Sequence, residues 1–563
     1  MALNHSRTIK TGTDMAQSKR YMILVALAVA LSGFVWGFDA TVISGAVPFI
    51  QKYFNLSGDR GDFLLGLAVS CLGWGVLGGT AVAGVSSDCF GRKKILIVTA
   101  VLFVVTALLS ALTTHFRVFV LARVLGGVAV GGAILIAPVY IAEISPPKQR
   151  GSLVSLNQLM IVLGISASFF SNYFLLGVGE NNWRWMLGMD AVPAALYFLF
   201  LFAVPESPRW LFGQGQPERA KEILIKTCGA ELAEEEMRNI RQSLGEKPLA
   251  AKAGEQSWIM AIIMRLIRWI EQMLIFLVKM RFVLFIALAI AFFQQITGIN
   301  AIFYYLPTIF VQAGGGINAA FWQAVLVGLV NLGMTFVAIR FVDRLGRKPL
   351  LAIGAAGMAM SLLTCSWAFH DSSYQLTDKS FVVLQENKVP AELIADLKNS
   401  QKNVFATDKE FIAALESQLG AERLKPYHDS LITAGLNIRA SLVLFAIIGF
   451  VASFAISLGP VMWVLLSEIF PNQYRGMAIS VAGFWNATVS ASVTLIFPWE
   501  LSHLGSAGTF LGYGLMAAAA LLFILLFIPE TKGKTLEELE VFLMRKERSA
   551  NASTPAELSH ETN

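Results

Sequence analysis

The chain has 563 residues, of which 55% are hydrophobic and only 15% are charged. A soluble protein of this length needs a much larger charged surface, so the composition excludes that class. The net charge of +6 comes from Lys and Arg in the loops between apolar segments, which suits lipid headgroups and does not indicate nucleic-acid binding.

Twelve long apolar segments follow one another along the chain. A helix needs about 20 residues to cross roughly 30 Å of hydrocarbon, and each segment approaches or exceeds that length. Membrane-spanning strands would be about 10 residues long with strict alternation, which these segments lack. The sequence therefore predicts an all-α membrane protein. The predicted spans are 21–49, 61–86, 95–114, 118–143, 152–178, 185–204, 281–312, 319–341, 349–369, 438–468, 476–500 and 507–528.

Residues 1–20 form a polar tail before the first apolar segment. That segment is longer than the apolar core of a signal peptide, so we expect it to be retained as a span. Basic residues gather in the second, fourth, eighth and tenth loops, which predicts that both termini are cytoplasmic and that the protein lies in the plasma (inner) membrane. These residues are Arg92, Lys93, Lys94, Lys148, Arg150, Arg340, Arg344, Arg347, Lys348 and Arg475.

Three motifs occur twice in the same order, which indicates an internal repeat. The second and third motifs are 63 residues apart in one copy and 62 in the other. The sequence therefore predicts two six-helix halves, 21–204 and 281–528, with a substrate site between them at mid-membrane depth. The motif pairs are DCFGRKK at 88–94 and DRLGRKP at 343–349, EISPPKQRG at 143–151 and EIFPNQYRG at 468–476, and PESPR at 205–209 and PETKGK at 529–534.

A polar linker at 205–280 joins the two halves. Its apolar periodicity predicts amphipathic helices over 218–225 and 259–277, on the cytoplasmic surface of the membrane or under the helix bundle. The chain ends in a cytoplasmic tail, 529–563, which is polar and predicted to be disordered after about residue 545.

A second polar segment, 370–436, is inserted between the ninth and tenth spans and is predicted to be extracytoplasmic. Short capped helices are predicted after Pro390 and from Asp408. The segment is either a structural decoration or an element of gating or partner contact.

The repeated motifs, together with QQITGIN at 294–300, resemble those of the sugar porter family of the major facilitator superfamily. The resemblance covers 21–369 and 437–540, and it is closest to bacterial xylose/glucose-type sugar–proton symporters. It implies the major facilitator fold, with a monosaccharide or a related polyol carried by alternating access.

The resemblance also implies which side chains contact the sugar. A sugar hydroxyl that loses water without finding a partner costs about 1–3 kcal/mol. Amide side chains suit this task because each offers a donor and an acceptor. The alternative is that these side chains only hold helices together. The implied substrate-binding residues are Gln158, Gln294, Gln295, Asn300, Asn331, Gly459 and Trp463.

Two positions depart from the family pattern. Ile165 and Phe484 stand where the family has amide-bearing residues, although Asn486 is close to Phe484 in the sequence. The predicted pocket is therefore more apolar than that of a xylose symporter, and the identity of the sugar stays open.

Asp39 lies within the first predicted span and Arg123 within the fourth. A carboxylate in the membrane costs at least ~2.5 kcal/mol on insertion scales, so Asp39 must be paired or protonated. A switch between these two states is the physical requirement for proton coupling, and by resemblance Asp39 with Arg123 performs it. The alternative is a static ion pair.

Charged residues recur at corresponding helix ends in both halves. By resemblance they form a cytoplasmic gate of salt bridges between the halves, which holds the outward-open state. Loop orientation alone would explain the basic members but not the repeated Glu positions. The gate residues are Arg92, Glu143, Arg150, Glu206, Arg347, Glu468, Arg475 and Glu530.

These observations favour a proton-coupled importer of a monosaccharide such as xylose or glucose, or of a polyol such as myo-inositol. The alternatives are a facilitative uniporter and a non-transporting sugar receptor. An enzyme is not expected, because no nucleophile–base pair or phosphate loop is present in the sequence. No cofactor or metal is expected, the partners are the sugar, the proton and the lipid bilayer, and the protein is expected to function as a monomer.

Overall fold

The computed structural model describes residues 2–244, 280–386, 389–398, 403–405, 408–471 and 474–533. The helix predicted over 259–277 and the tail after 545 lie outside these residues. Twelve described helices are long and apolar enough to span a membrane, which confirms the predicted fold class. The spans are Gln17–Tyr53, Gly58–Phe90, Arg92–Leu112, Phe116–Ile144, Gln149–Val178, Asn182–Ala203, Arg281–Tyr304, Ile317–Val342, Arg347–His370, Ala440–Ile469, Arg475–His503 and Gly505–Phe527.

The first helix is longer than its apolar part. It begins at Ala2 and runs without interruption to Tyr53, so the polar residues before the first span continue the same helix. From Gln17 onward, its first buried core position is Met22, where the sequence becomes apolar.

Two spans in the second half are broken, and both breaks have a local cause. The seventh span consists of the helices Arg281–Ile296 and Ile299–Tyr304, followed by Leu306–Gln312. Gly298 separates the first two with φ 85°, in the left-handed region that glycine occupies at no steric cost. The tenth span is divided at Ser457, three residues before Pro460, whose nitrogen cannot donate a helical hydrogen bond.

The described part of the linker forms three short helices, Pro208–Gly213, Pro217–Cys228 and Ala230–Leu244, so the helix predicted over 218–225 is confirmed. They share a small apolar core of their own. Lys221 Nζ lies 2.6 Å from Glu234 Oε1, and this hydrogen bond raises the pKa of Lys221 and lowers that of Glu234.

The insertion is a small folded unit on two strands. β1 (Ser373–Tyr374) pairs antiparallel with β2 (Leu436–Asn437), which closes the unit at its base. Its own apolar core contains Leu384, Leu397 and Leu431. The helices predicted after Pro390 and from Asp408 are confirmed. The helices of the insertion are Asp378–Glu386, Ala391–Lys398, Asp408–Leu419, Ala421–Leu424 and His428–Gly435, with a short 3₁₀ turn at Lys425–Tyr427.

An even number of spans places the linker and both ends of the described chain on one side of the bundle and the insertion on the other. We call these the linker side and the insertion side. The two halves meet toward the insertion side, where Gly66 of the second span lies so close to the Leu495 carbonyl that a Cβ would collide with it. Nearer the middle, Ser166 Oγ of the fifth span donates to the Gly328 carbonyl of the eighth at 2.9 Å.

Candidate functional site

A cluster of four amide side chains links the seventh and eleventh spans. Gln295 Nε2 lies 3.2 Å from Gln294 Oε1 and 3.1 Å from Asn486 Oδ1. Asn486 Nδ2 in turn donates to Gln294 Oε1 at 2.7 Å, and Asn300 Nδ2 donates to Gln295 Oε1 at 2.9 Å. Gln294, Gln295 and Asn486 are buried, so each donor and acceptor depends on its protein partners.

The breaks in the two spans bring these groups together. Gly298 interrupts the helix between Gln295 and Asn300, and Asn300 then reaches back to Gln295. In the tenth span, the turn at Ser457 presents backbone carbonyls, and Gln294 Nε2 donates to Leu458 O at 2.8 Å and to Gly459 O at 3.4 Å. Gly459 therefore contacts the cluster through its backbone.

The remaining predicted substrate residues lie outside this hydrogen-bonded cluster. Within the described residues, neither Gln158 nor Asn331 joins it; Gln158 is exposed on the fifth span and Asn331 is buried on the eighth. Trp463 is 38% exposed, and its ring borders Gly483 of the eleventh span. Its large accessible aromatic face is available to a ligand.

Sequence analysis did not assign two members of the cluster. Asn486 was noted only as a neighbour of Phe484, yet Asn486 is buried among the amides and Phe484 is 56% exposed. Ser490, one helical turn later, accepts a hydrogen bond from Asn300 Nδ2 at 2.6 Å. The signal that could have found both is their i, i+4 spacing, which places them on one face of the span.

A second buried polar site lies in the first half. Arg123 Nη1 donates to the Asp39 carboxylate, and Arg123 Nη2 donates to the Asp39 backbone carbonyl at 3.2 Å. Both residues are 4% exposed, so the predicted pair of Asp39 and Arg123 is present as a buried ion pair.

Asp190, in the sixth span, is a third ionisable residue at this site that sequence analysis missed. It lines a cavity of about 10 Å³ together with Asp39 and Arg123, about the size that one water molecule occupies. Asp190 Oδ1 and Arg123 Nε are buried without a hydrogen-bond partner among the described residues. The available signal was a carboxylate inside an apolar span, the same signal that identified Asp39.

One short helix connects the two sites. Asn300 and Tyr304 lie one turn apart on Ile299–Tyr304, and Tyr304 packs against the apolar core of the first half. The same helix contacts the first span, which carries Asp39. A movement of this helix would therefore affect both the amide cluster, through Asn300, and the ion-pair site, through the first span.

The predicted gate residues pair with neighbours inside each half of the described structure. Arg92 binds both carboxylate oxygens of Glu143 at 3.2 Å, and Arg347 binds those of Glu468 at 2.8 and 3.1 Å. The Arg92–Glu143 pair lies within the first half and the Arg347–Glu468 pair within the second, so neither pair joins the two halves. The reason is that each Glu ends a span directly beside the Arg that begins a neighbouring span of the same half.

Of the other gate residues, Glu206 and Glu530 repeat this symmetry, whereas Arg150 and Arg475 do not. Glu206 accepts from the Lys93 backbone nitrogen at 3.1 Å, and Glu530 accepts from that of Lys348 at 3.1 Å. Arg150 donates to the Ala142 carbonyl at 3.0 Å within the first half. Arg475, its counterpart, has Nε and Nη2 buried without a partner in the described parts of the chain.

Two six-helix halves, with a buried ion pair in one and a buried amide cluster in the other, define a membrane transporter of the major facilitator class. The chain matches the family described as sugar (and other) transporter over residues 25–382 and 430–543, and it belongs to that family. The unmatched interval falls within the insertion.

Relatives cover nearly the whole chain. The arabinose-proton symporter of Bacillus subtilis (strain 168) is 32% identical over 531 residues, covering 93% of this chain and 96% of that protein. The D-xylose-proton symporter of Escherichia coli (strain K12) is 34% identical over 556 residues, covering 92% and 95%. The partially occluded inward-open structure of the E. coli xylose transporter XylE aligns with a TM-score of 0.68 at 30% identity, covering 92% of this chain and 100% of XylE.

Proposed function

We propose that this protein imports a monosaccharide together with a proton by alternating access. The observation that carries the proposal is the presence, in one chain, of a buried Asp39–Arg123 pair and a separate buried amide cluster around Gln295. The first can exchange a proton and the second can pair sugar hydroxyls. Two relatives are sugar–proton symporters, which supports the same conclusion.

The linker side faces the cytoplasm in this proposal, because the basic loops of the sequence lie there. Both termini are then cytoplasmic, the insertion is extracytoplasmic, and the protein lies in the plasma (inner) membrane. The halves meet toward the insertion side, so this conformation opens the sugar site inward, in agreement with its similarity to an inward-open structure. Because one chain holds both sites, the protein functions as a monomer.

The proton acts through the ion pair. With Asp39 ionised, Arg123 is held by the carboxylate and the backbone of the first span. Protonation of Asp39 removes that attraction, and Asp190 is the other carboxyl group that lines the same cavity. Arg123 thus has two alternative acidic partners, and a proton on Asp39 selects between two arrangements of the first, fourth and sixth spans.

The sugar site combines the amides with apolar surface. Gln294, Gln295 and Asn300 supply hydrogen bonds once a sugar displaces some of their mutual contacts, and the face of Trp463 packs against C–H groups. Gln158 and Asn331 complete the site from the fifth and eighth spans, which meet between the halves. The sugar is a monosaccharide such as xylose or glucose.

The gate remains part of the proposal for the other conformation. When the linker side closes, the repeated Glu and Arg residues of the two halves approach each other and exchange partners. Arg475 has unpaired buried donors in the described structure, so it can accept a carboxylate partner without first losing one at those atoms.

Transport in proteoliposomes tests the function. Uptake of xylose, arabinose, glucose and myo-inositol is measured with an inward proton gradient, without a gradient and with a protonophore. Accumulation of at least one sugar above equilibrium only with the gradient is expected. Equilibration that ignores the gradient would indicate a uniporter, and binding without flux would indicate a receptor; either result overturns the proposal.

A further inference from the structure

We propose that the Glu500–Tyr513 hydrogen bond is a positioning device that holds the outer part of the seventh span closed. This inference rests on the transport function proposed above. Tyr513 of the twelfth span donates its hydroxyl to Glu500 Oε2 of the eleventh span at 2.6 Å. Neither residue belongs to the sugar site or to the ion-pair site.

Burial makes this hydrogen bond strong. Tyr513 is 5% exposed, and Glu500 is only partly accessible near the insertion-side end of its span. A carboxylate in such a place needs a donor, and a hydrogen bond to a charged acceptor is roughly twice as strong as a neutral one. The bond therefore fixes the direction of the Tyr513 ring.

That ring lies against the break in the seventh span. A Cβ on Gly298 would lie 2.6 Å from ring atoms of Tyr513, so the ring is in direct contact with the backbone at the break. Gly298 lies between Gln295 and Asn300, the two amides that hydrogen-bond across it. The position of Tyr513 thus influences the geometry of the sugar-binding amides without touching the sugar.

An aromatic stack extends the contact to the next break. The ring of Phe497 lies 6.2 Å from that of Tyr513, nearly parallel to it, and 5.0 Å from that of Tyr305. Tyr305 separates Ile299–Tyr304 from Leu306–Gln312. Tyr513 of the twelfth span, together with Phe497 of the eleventh, therefore supports both ends of the short helix that contacts the first span. Loss of the hydrogen bond frees this helix to move away from the first half and open the insertion side.

The test measures opening directly. Thr308→Cys, on Leu306–Gln312, is introduced in a Cys89→Ala background and labelled with a membrane-impermeant maleimide in right-side-out vesicles. Thr308 Oγ1 is buried and unpaired among the described residues, so a cysteine of similar size fits there. This cysteine reacts slowly while the outer part of the seventh span is closed. Tyr513→Phe removes one oxygen and Glu500→Ala removes the acceptor; each is expected to raise the labelling rate about five- to tenfold.

Matched variants separate positioning from packing. Glu500→Gln keeps an acceptor for the Tyr513 hydroxyl and is expected to restore most of the slow labelling. The double variant Tyr513→Phe with Glu500→Ala is expected to label no faster than either single variant, because both remove one interaction. Tyr427→Phe and Glu422→Ala, on the insertion, are controls with wild-type labelling.

Wild-type labelling in Tyr513→Phe and Glu500→Ala would overturn the inference, as would equal labelling in Glu500→Gln and Glu500→Ala. A sugar readout accompanies the labelling: a larger population open to the outside lowers the KM for external sugar and lowers kcat. Because labelling needs no sugar or proton gradient, it remains informative if the transport proposal fails. Absence of uptake with enhanced labelling would reject the transport function and leave the positioning role supported.

Discussion

The two halves of this protein are built on one plan, yet they bury different polar chemistry. The first half holds ionisable side chains, with Asp39, Arg123 and Asp190 around a small cavity. The second half holds neutral amides, with Gln294, Gln295 and Asn486 in mutual hydrogen bonds. At the linker side the halves remain alike, because Arg92–Glu143 and Arg347–Glu468 have the same geometry.

The difference shows that the two halves of a repeated structure share some features and take different chemical roles in others. Helix-end salt bridges orient spans in both halves and are therefore duplicated. A titrating carboxylate and a sugar-binding amide have opposite requirements, because one must change charge and the other must stay neutral with fixed geometry. Placing them in separate halves lets the interface between the halves couple them.

The largest expected effect comes from replacing Asp39 in the first half. Asp39→Asn cannot exchange a proton, so sugar accumulation is expected to fall from about tenfold per pH unit of gradient to none, while exchange of internal for external sugar persists. Uptake and counterflow in proteoliposomes measure both. Asp371→Asn, exposed at the base of the insertion, is the matched control. Undiminished accumulation in Asp39→Asn would place the proton elsewhere.

The amide half is tested at Gln295. Gln295→Ala removes the partner of Gln294, Asn300 and Asn486, and sugar affinity is expected to fall about 10- to 100-fold. Calorimetry measures the affinity. Gln312→Ala, at the end of the same span, removes an amide that only accepts from an exposed serine, and should bind normally. An unchanged Kd in Gln295→Ala would exclude this cluster as the sugar site.

The next prediction tests the role of Asp190 in the first half. Asp190→Asn removes the second carboxyl group that lines the cavity, so Arg123 stays with Asp39 and the switch is slower. Proton-driven uptake is expected to slow about tenfold with KM for the sugar little changed. Initial rates over a range of sugar concentrations separate the two parameters. A large rise in KM instead would mean that Asp190 acts on the sugar site.

Ser490 gives a smaller effect within the amide half. Ser490→Ala removes the acceptor for Asn300 Nδ2, and a loss of about 1 kcal/mol predicts roughly fivefold weaker sugar binding. Ser492→Ala, two residues later, removes only a bond to the Thr488 carbonyl and serves as the control. Equal affinities in the two variants would show that Asn300 does not need Ser490.

The last prediction concerns the orientation of the protein in the membrane, that is, which side of the helix bundle faces the cytoplasm. Cys89 is exposed at the linker-side end of the second span, whereas burial raises the pKa of the Cys228 thiol. A higher pKa leaves less thiolate at neutral pH, so Cys228 should react more slowly than Cys89, and its rate should rise with pH. An impermeant maleimide should label Cys89 only in inside-out vesicles. Labelling in right-side-out vesicles would reverse the proposed orientation.

Sequence reasoning reached most of the fold because membrane spans are decided locally. Length and apolarity alone identify a helix that must satisfy its own backbone in hydrocarbon. The repeated motifs divided these spans into two halves, and the breaks at Gly298 and near Pro460 were visible as residues that resist a regular helix. Two helices of the insertion were likewise predicted, one after Pro390 and one from Asp408.

Partners across the fold were harder to predict. Asp39 and Arg123 were paired correctly because a buried charge requires an opposite one, but nothing local connected them to Asp190 on the sixth span. Asn486 was noticed and left unassigned, because its value depends on facing the seventh span. The sequence did not predict that the gate residues pair within each half in this conformation, and their pairing between the halves stays a prediction.

The amino-acid sequence by itself determined the twelve spans, the two-fold repeat, the position of the buried charges and the resemblance to sugar transporters. The tertiary structure decided which amides meet, that Arg123 faces two carboxylates, and that the gate pairs stay within each half. The physical reason is range: solvation in lipid acts on each helix by itself, whereas a hydrogen bond or ion pair requires two atoms from distant segments within about 3 Å. Only packing of the helices supplies that proximity.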